Sequence, residues 1–320
     1  MSNKIFVVED DALTARQLQR YIEEMGYQFA GDADNAETAL EQIKQTQPDL
    51  VLMDIRLNGT TDGVEAAARL QADSAVALIY LTAYADDQIL ARAKLTEPYG
   101  YLVKPFTKQS LQASIEIGLY KSAMERKQQR IHDAMAQTIT ELVKLHDPYL
   151  DGVQTRAAKL AEAIAVELKL PRPEARGIYL AAMLHCIGLV GIPSALTGYD
   201  APLRGVEKAF FQTHPEIAWN LLKDLEFPTP VAEMVYQHME RLDGSGFPCG
   251  LSGAAILPGT RIVAVACEAA RMLSARGMKA PVGVDEAVKA LEQGRGTLFE
   301  AKVVDACIRL IREKSDAVPA

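Results

Sequence analysis

Leu50-Val51-Leu52-Met53-Asp54 is a run of four apolar residues closed by a carboxylate, and its reading decides the fold. An apolar run this short, without alternation, fits a strand buried on both faces, as in a parallel sheet. Runs of the same kind stand at 5–8, 77–81 and 101–103, with a weaker one near Phe29. Between them apolar residues fall at helical spacing: Leu13, Leu18, Ile22 and Met25; Ala36, Leu40 and Ile43; Val64, Ala67 and Leu70. This strand–helix alternation predicts a doubly wound α/β sheet. Glu9 and Asp10 follow the first run, Asp54 closes 50–53, Thr82 follows 77–81, and Lys104-Pro105 follows 101–103. Four strands thus deliver polar groups at their carboxyl ends, where open α/β sheets bind ligands.

Three carboxylates gathered in one crevice repel each other and favour a hard divalent cation, for which Mg²⁺ with oxygen ligands is the natural choice. The cation would offset the charge of a phosphoryl group arriving at Asp54, a carboxylate nucleophile. Lys104 supplies a point positive charge to a phosphoryl oxygen, and the Thr82 hydroxyl can hydrogen-bond another. Val7-Val8-Glu9-Asp10, Met53-Asp54-Ile55, Leu81-Thr82-Ala83 and Lys104-Pro105-Phe106 resemble the response-regulator receiver family over positions 3 to about 121. The resemblance implies a flavodoxin-like, five-stranded parallel sheet in the order 2-1-3-4-5. It implies phosphoryl transfer from a sensor histidine kinase to Asp54, and Mg²⁺ held by Glu9, Asp10, Asp54 and the backbone carbonyl of Arg56. It also implies that Thr82 and Tyr101 move together as a switch and that the Lys104–Pro105 bond is cis.

Residues 109–145 contain no proline and one glycine, Gly118. Ile117, Met124, Ile131, Thr138 and Leu145 recur every seven residues, with Met135 and Leu142 at the second seam position and Lys121 and Gln128 interrupting it. A continuous helix is expected, serving either as a coiled-coil seam in a homodimer or as a helix packed on its own second domain. The expected division is a receiver at 1–121, a helical linker at 122–145 and a second domain at 146–320.

After Asp147-Pro148 the apolar spacing becomes almost entirely helical. His238-Met239-Glu240-Arg241-Leu242-Asp243-Gly244-Ser245-Gly246-Phe247-Pro248 resembles the HD-GYP signature, HHExxDGxGYP in one-letter form. Asp147-Pro148-Tyr149, Leu184-His185-Cys186-Ile187-Gly188, Thr213-His214-Pro215-Glu216 and the stretch 261–267 follow the same family's order over about 147 to 311. The resemblance implies an all-α HD-type domain that opens cyclic di-GMP with two or three iron- or manganese-type ions. His185, His214 and His238 match metal-ligand positions. Val153 and Met239 stand where the family has histidines, and Cys186 and Cys267 where it has aspartates. Leu189 replaces a lysine and Phe247 the tyrosine of the GYP loop. A binuclear site needs a bridging carboxylate and several ligands per ion to generate hydroxide, so the expectation is a degenerate domain without a hydrolytic metal cluster. The alternatives are a phosphodiesterase with an atypical Fe or Mn site, or Zn²⁺ on the three histidines with Cys186 and Cys267; isolated in apolar runs, both cysteines read more simply as buried core. Arg156, Arg276 and Lys279 lie where the family has basic residues near nucleotide phosphates.

A net charge of −8 argues against non-specific binding to DNA or an acidic membrane. No leader or membrane span is expected, and four cysteines without CxxC spacing fit a reduced, cytoplasmic setting. The expected function is a response regulator phosphorylated by a histidine kinase, with an inactive output domain that binds a signalling protein or cyclic di-GMP.

Overall fold

The computed structural model describes residues 2–59, 61–74, 76–83, 92–94, 96–197, 203–274 and 281–313. Five parallel strands, β1 (Lys4–Val8), β2 (Gln28–Ala33), β3 (Leu50–Asp54), β4 (Ala77–Thr82) and β5 (Gly100–Val103), form one sheet in the order β2-β1-β3-β4-β5. This is the flavodoxin-like order expected. All of β3 and β4 is buried, because each face is covered by apolar side chains. Phe6, Val8, Val51 and Met53 belong to one core, and Ile5, Val7, Leu50 and Leu52 to the other.

Helices α1 (Ala12–Glu24), α2 (Ala36–Thr46) and α3 (Gly63–Asp73) each start after a side-chain cap. Asp11, Asn35 and Asp62 accept the amides of Thr14, Thr38 and Glu65 at 3.0, 2.9 and 2.8 Å. Each bond satisfies a donor that the first helical turn leaves unpaired.

Helix α4 (Lys108–His146) is a single helix of 39 residues, roughly 58 Å long at about 1.5 Å per residue. The chain separates into two compact units, Met1–Arg130 and Ile131–Ala320, so the division falls inside the expected linker. Leu111, Ile115 and Ser122 are buried at the start of α4 and Ala136 and Val143 towards its end, while no residue from 123 to 135 is buried. Ile117, Met124, Ile131, Leu142 and Leu145 are exposed. The helix packs through one face and leaves the heptad stripe uncovered.

The second unit is helical: α5 (Val153–Glu167), α6 (Arg172–Leu184), α7 (Ser194–Thr197), α8 (Gly205–Phe211), α9 (His214–Leu222), α10 (Val231–Gln237), α11 (Pro258–Met272), α12 (Val284–Gly294) and α13 (Ala301–Glu313). Helix α5 packs against both α6 and α11. Runs of alanine on all three (Ala157, Ala158 and Ala161; Ala181 and Ala182; Ala266, Ala269 and Ala270) are buried there. Small side chains permit close helix approach, and the core is filled between them by Ile164, Ile178, Leu180, Val263 and Val265. A second cluster joins Val143 of α4 to Leu150, Cys186, Leu189 and Ile192, with Ile139 and Phe211 against it. Among the described residues no helix is long and apolar enough to cross a membrane.

Candidate functional site

Two sites result, one in each unit. In the first, Glu9, Asp10 and Asp54 each bring a carboxylate oxygen within 4.8 Å of the others. Strands β1 and β3 are neighbours, so their carboxyl ends necessarily lie side by side. Lys104, just beyond β5, places Nζ 2.5 Å from Asp54 Oδ2 and 2.7 Å from Glu9 Oε1. The Lys104–Pro105 bond is cis. The amide of Arg56 donates to Asp54 Oδ1 at 2.9 Å. A Cβ on Gly63 would stand 1.9 Å from the Asp54 carbonyl oxygen, so glycine is what lets α3 begin against the end of β3.

Burial pushes the Glu9 carboxyl up to about 6, helped by the neighbouring Asp54 charge and opposed by Lys104. Burial works against the Lys104 ammonium, but hydrogen bonds to Asp54 and Glu9 hold its pKa above the ordinary lysine value. Thr82 closes β4 and is buried. Tyr101 stacks on Tyr80 at 5.8 Å between centroids. Its hydroxyl oxygen is buried with no hydrogen-bond partner among the described residues, whereas Tyr80 Oη pairs with Thr96 Oγ1 at 2.8 Å. The arrangement can hold a hard cation on oxygen ligands, present Asp54 Oδ as a nucleophile and hold a lysine against the incoming charge.

In the second unit a cavity of about 110 Å³ opens between helix ends. His185 caps the end of α6, His214 begins α9 and His238 caps the end of α10. All three rings line the cavity, together with Val153, Cys186, Leu189, Met239 and Cys267. Gly188 makes this convergence steric: a Cβ there would stand 1.8 Å from the His214 carbonyl oxygen. Each histidine turns Nδ1 to the carbonyl three residues earlier, Ala182 at 2.7 Å, Phe211 at 2.8 Å and Val235 at 2.6 Å. Burial depresses all three rings, His185 and His214 to about 4 and His238 well below its usual value, so they are neutral at pH 7. Burial also pushes the Cys267 thiol well up, keeping its proton on.

The signature segment divides its labour. Glu240 is buried and accepts the amides of Cys249 at 2.7 Å and Leu251 at 3.0 Å, fastening the Gly-Phe-Pro loop. Asp243 accepts the Ser245 amide at 2.9 Å, a turn contact. Phe247 places its ring 5.9 Å from that of His214.

Of the three basic residues expected near phosphates, only Arg156 falls among the described residues. Arg156 is not part of the cavity wall: its guanidinium donates to the Leu273 carbonyl and, at 2.8 Å, to Ser274 Oγ, tying α5 to the end of α11. Arg276 and Lys279 lie outside the described residues. The arginines that do line the cavity are Arg241 and Arg271, with Glu268 beside them. Arg241 donates to the Glu240 carbonyl at 2.9 Å and lies 5.0 Å over the Phe299 ring, and Arg271 is paired with Glu268. The sequence does hold a signal for part of this wall. Ala264, Cys267, Glu268 and Arg271 stand at i, i+3, i+4 and i+7, one face of a helix.

Comparison with known proteins agrees with both units. A response regulator receiver domain model matches residues 5–116, and an HD domain model matches residues 137–303. The chain is 31% identical to the "Cyclic di-GMP phosphodiesterase response regulator RpfG" of Xanthomonas campestris pv. campestris, across 95% of this chain and 86% of that one. It is 27% identical to a "Cyclic di-GMP phosphodiesterase" of Thermotoga maritima, across 98% and 91%. Among solved structures, the receiver domain of a modulated diguanylate cyclase from Desulfovibrio desulfuricans G20 is 38% identical, covering 39% of this chain and 99% of that one, with a TM-score of 0.38.

Proposed function

Because the chain belongs to the response regulators that join a receiver domain to an HD domain, we propose that it is a phosphorylation switch whose HD domain binds rather than hydrolyses. In this reading Asp54 accepts a phosphoryl group from a sensor histidine kinase, and Glu9, Asp10, Asp54 and the Arg56 carbonyl hold Mg²⁺. The bound ion supplies charge compensation for the phosphoryl oxygens. Lys104 leaves its ion pair with Asp54 to meet a phosphoryl oxygen, and Thr82 meets another. Tyr101 follows Thr82, its unpartnered hydroxyl leaving little to hold it in place.

One observation supports this reading: among the described residues Glu268 is the single carboxylate on the cavity wall, and Arg271 already holds it. Three neutral imidazoles cannot offset two adjacent divalent ions, and Val153 and Met239 add no ligand suited to iron or manganese. The residues present therefore do not fit a carboxylate-bridged cluster. The cavity, about 110 Å³, is also small beside the roughly 300–1,000 Å³ of sites that enclose a drug-sized ligand. Arg241 and Arg271 on its wall offer positive charge to a phosphate edge. Output through a bound nucleotide edge or a protein partner, with self-association along the exposed stripe of α4, belongs to the same reading.

The names of the relatives favour a second reading, a working cyclic di-GMP phosphodiesterase with an atypical metal site. One preparation separates the two. Acetyl phosphate should modify the wild type and leave Asp54→Asn unmodified; equal modification sinks the receiver assignment. Protein loaded with Mn²⁺ or Fe²⁺ should leave cyclic di-GMP intact. Turnover that disappears in His185→Ala would establish the second reading instead.

A further inference from the structure

At the start of the second unit, Asp133 of α4 pairs with Arg176 of α6. Beside it His132 lies against Phe227, with 5.6 Å between ring centroids. Ala136 follows and enters the core that α5 and α6 build. No residue from 123 to 135 is buried. Ahead of Ala136, therefore, an ion pair and a ring contact hold this part of the helix, not buried apolar side chains.

Arg176 has a second acceptor within reach. Its Nη1 lies 3.9 Å from Glu162 Oε1 of α5, inside ion-pair range but beyond a hydrogen bond. Its Nε is buried with no hydrogen-bond partner among the described residues. The guanidinium lies 4.3 Å from the centroid of the Tyr179 ring, a platform that favours the charge without fixing where each N–H points. Glu162 shows the other side of the mismatch: burial holds its carboxyl above the ordinary value, opposed by Arg172. A desolvated carboxylate beside a cation that it does not hydrogen-bond gains from a closer approach. A close grip on either carboxylate takes two N–H groups of one planar fork, so gripping one loosens the other. We propose that Arg176 is a two-position latch: on Asp133 it holds the end of α4 against the helical unit, and on Glu162 it lets that end go. Both positions keep the guanidinium on Tyr179 and paired with a carboxylate. Neither leaves a charge uncompensated, so the two states stay close enough in energy to be shifted. Helix α6 is capped by His185, roughly 14 Å along the helix from Arg176 at about 1.5 Å per residue. The latch therefore stands on a helix that delivers a cavity histidine. As the bistable element of the phosphorylation switch it rests on the proposed function; as a property of the helical unit it stands without it.

Hydrogen exchange of the full-length protein over 131–140, read by mass spectrometry, tests the latch. Exchange there passes through the released state, which Asp133 opposes and Glu162 favours. Asp133→Asn should speed it about two- to fivefold and Glu162→Gln should slow it by a similar factor, the scale of a partly exposed ion pair. In an Arg176→Met background neither substitution should change the rate further. Thermal melts by circular dichroism establish that each variant is folded. A fixed ion-pair network gives a different sign, since loss of Glu162 then speeds exchange or leaves it alone. Either result overturns the proposal, as does an unchanged rate in Asp133→Asn. Acetyl phosphate, with labelling of Asp54 confirmed by intact mass, should alter wild-type exchange over 131–140 and alter it less in Glu162→Gln. Labelling without any change there overturns the latch as the switch element, whereas absence of labelling counts against the receiver assignment alone.

Discussion

Glu9 shows how one side chain carries a measurable consequence of the fold. Its carboxyl titrates near 6 because it is buried beside Asp54, against an ordinary value of 4.5. The folded protein therefore keeps a proton that the unfolded chain has released between those values. That proton favours folding below about pH 4.5, and the advantage is lost as pH rises through 6. In the proposed Mg²⁺ site the same proton would compete with the ion. Affinity for Mg²⁺, measured by calorimetry on either side of pH 6, should weaken about tenfold per pH unit below it if one proton is displaced. Glu9→Gln should flatten the profile, and a wild-type affinity independent of pH would remove Glu9 from the ligand set. Residue identity was enough to place this group, because the end of an apolar strand marks it. Arg156 shows the opposite: its charge was legible, but its destination on the Leu273 carbonyl and Ser274 was not. An arginine's reach is long enough that only packing decides which acceptor it meets.

Helix α4 carries two periodic patterns at once. The heptad stripe of Ile117, Met124, Ile131 and Leu145 was visible in the sequence, and it is exposed. A different face, with Leu111, Ile115, Ala136 and Val143, does the packing. Reading periodicity alone could not separate them, because both are apolar at helical spacing and burial depends on which face meets a neighbour. Replacing Ile131 and Leu145 by lysine should abolish any concentration-dependent self-association seen by sedimentation. Stability should change by no more than about 0.5 kcal/mol, as expected for exposed positions. Self-association that survives both substitutions would place the contact elsewhere. Helix α11 teaches a similar lesson: Ala264, Cys267, Glu268 and Arg271 form one face, yet only the presence of α6, α9 and α10 around it turns that face into a cavity wall.

At the scale of the whole molecule, α4 runs without interruption from the first compact unit into the second. Its later half meets the HD cavity directly, since Val143 packs in one cluster with Leu150, Cys186 and Leu189, all three of which line the cavity. If the helix carries the receiver's output, as its continuity suggests for the proposed switch, that output would reach the wall that holds His185. Gln128 lies in the stretch without buried residues. Gln128→Pro should break the helix there at a local cost of about 3 kcal/mol while leaving both cores intact. Phosphodonor should then no longer alter hydrogen exchange in 131–146; an unchanged response would exclude the helix as the conduit. The sequence alone determined the receiver sheet, its strand order through resemblance, the acidic cluster with Lys104, and the departures from the HD-GYP ligand set. A parallel sheet makes this legible: short apolar runs mark its strands, and topology brings their ends together. Only the tertiary structure decided that Arg241, Glu268 and Arg271 belong to the cavity wall, that Arg156 turns to Leu273 and Ser274, and that the Nε2 atoms of His214 and His238 meet 3.4 Å apart. That cavity is assembled from the ends of several helices whose crossing angles arise from side-chain packing across the bundle, and no local pattern along the chain records those angles.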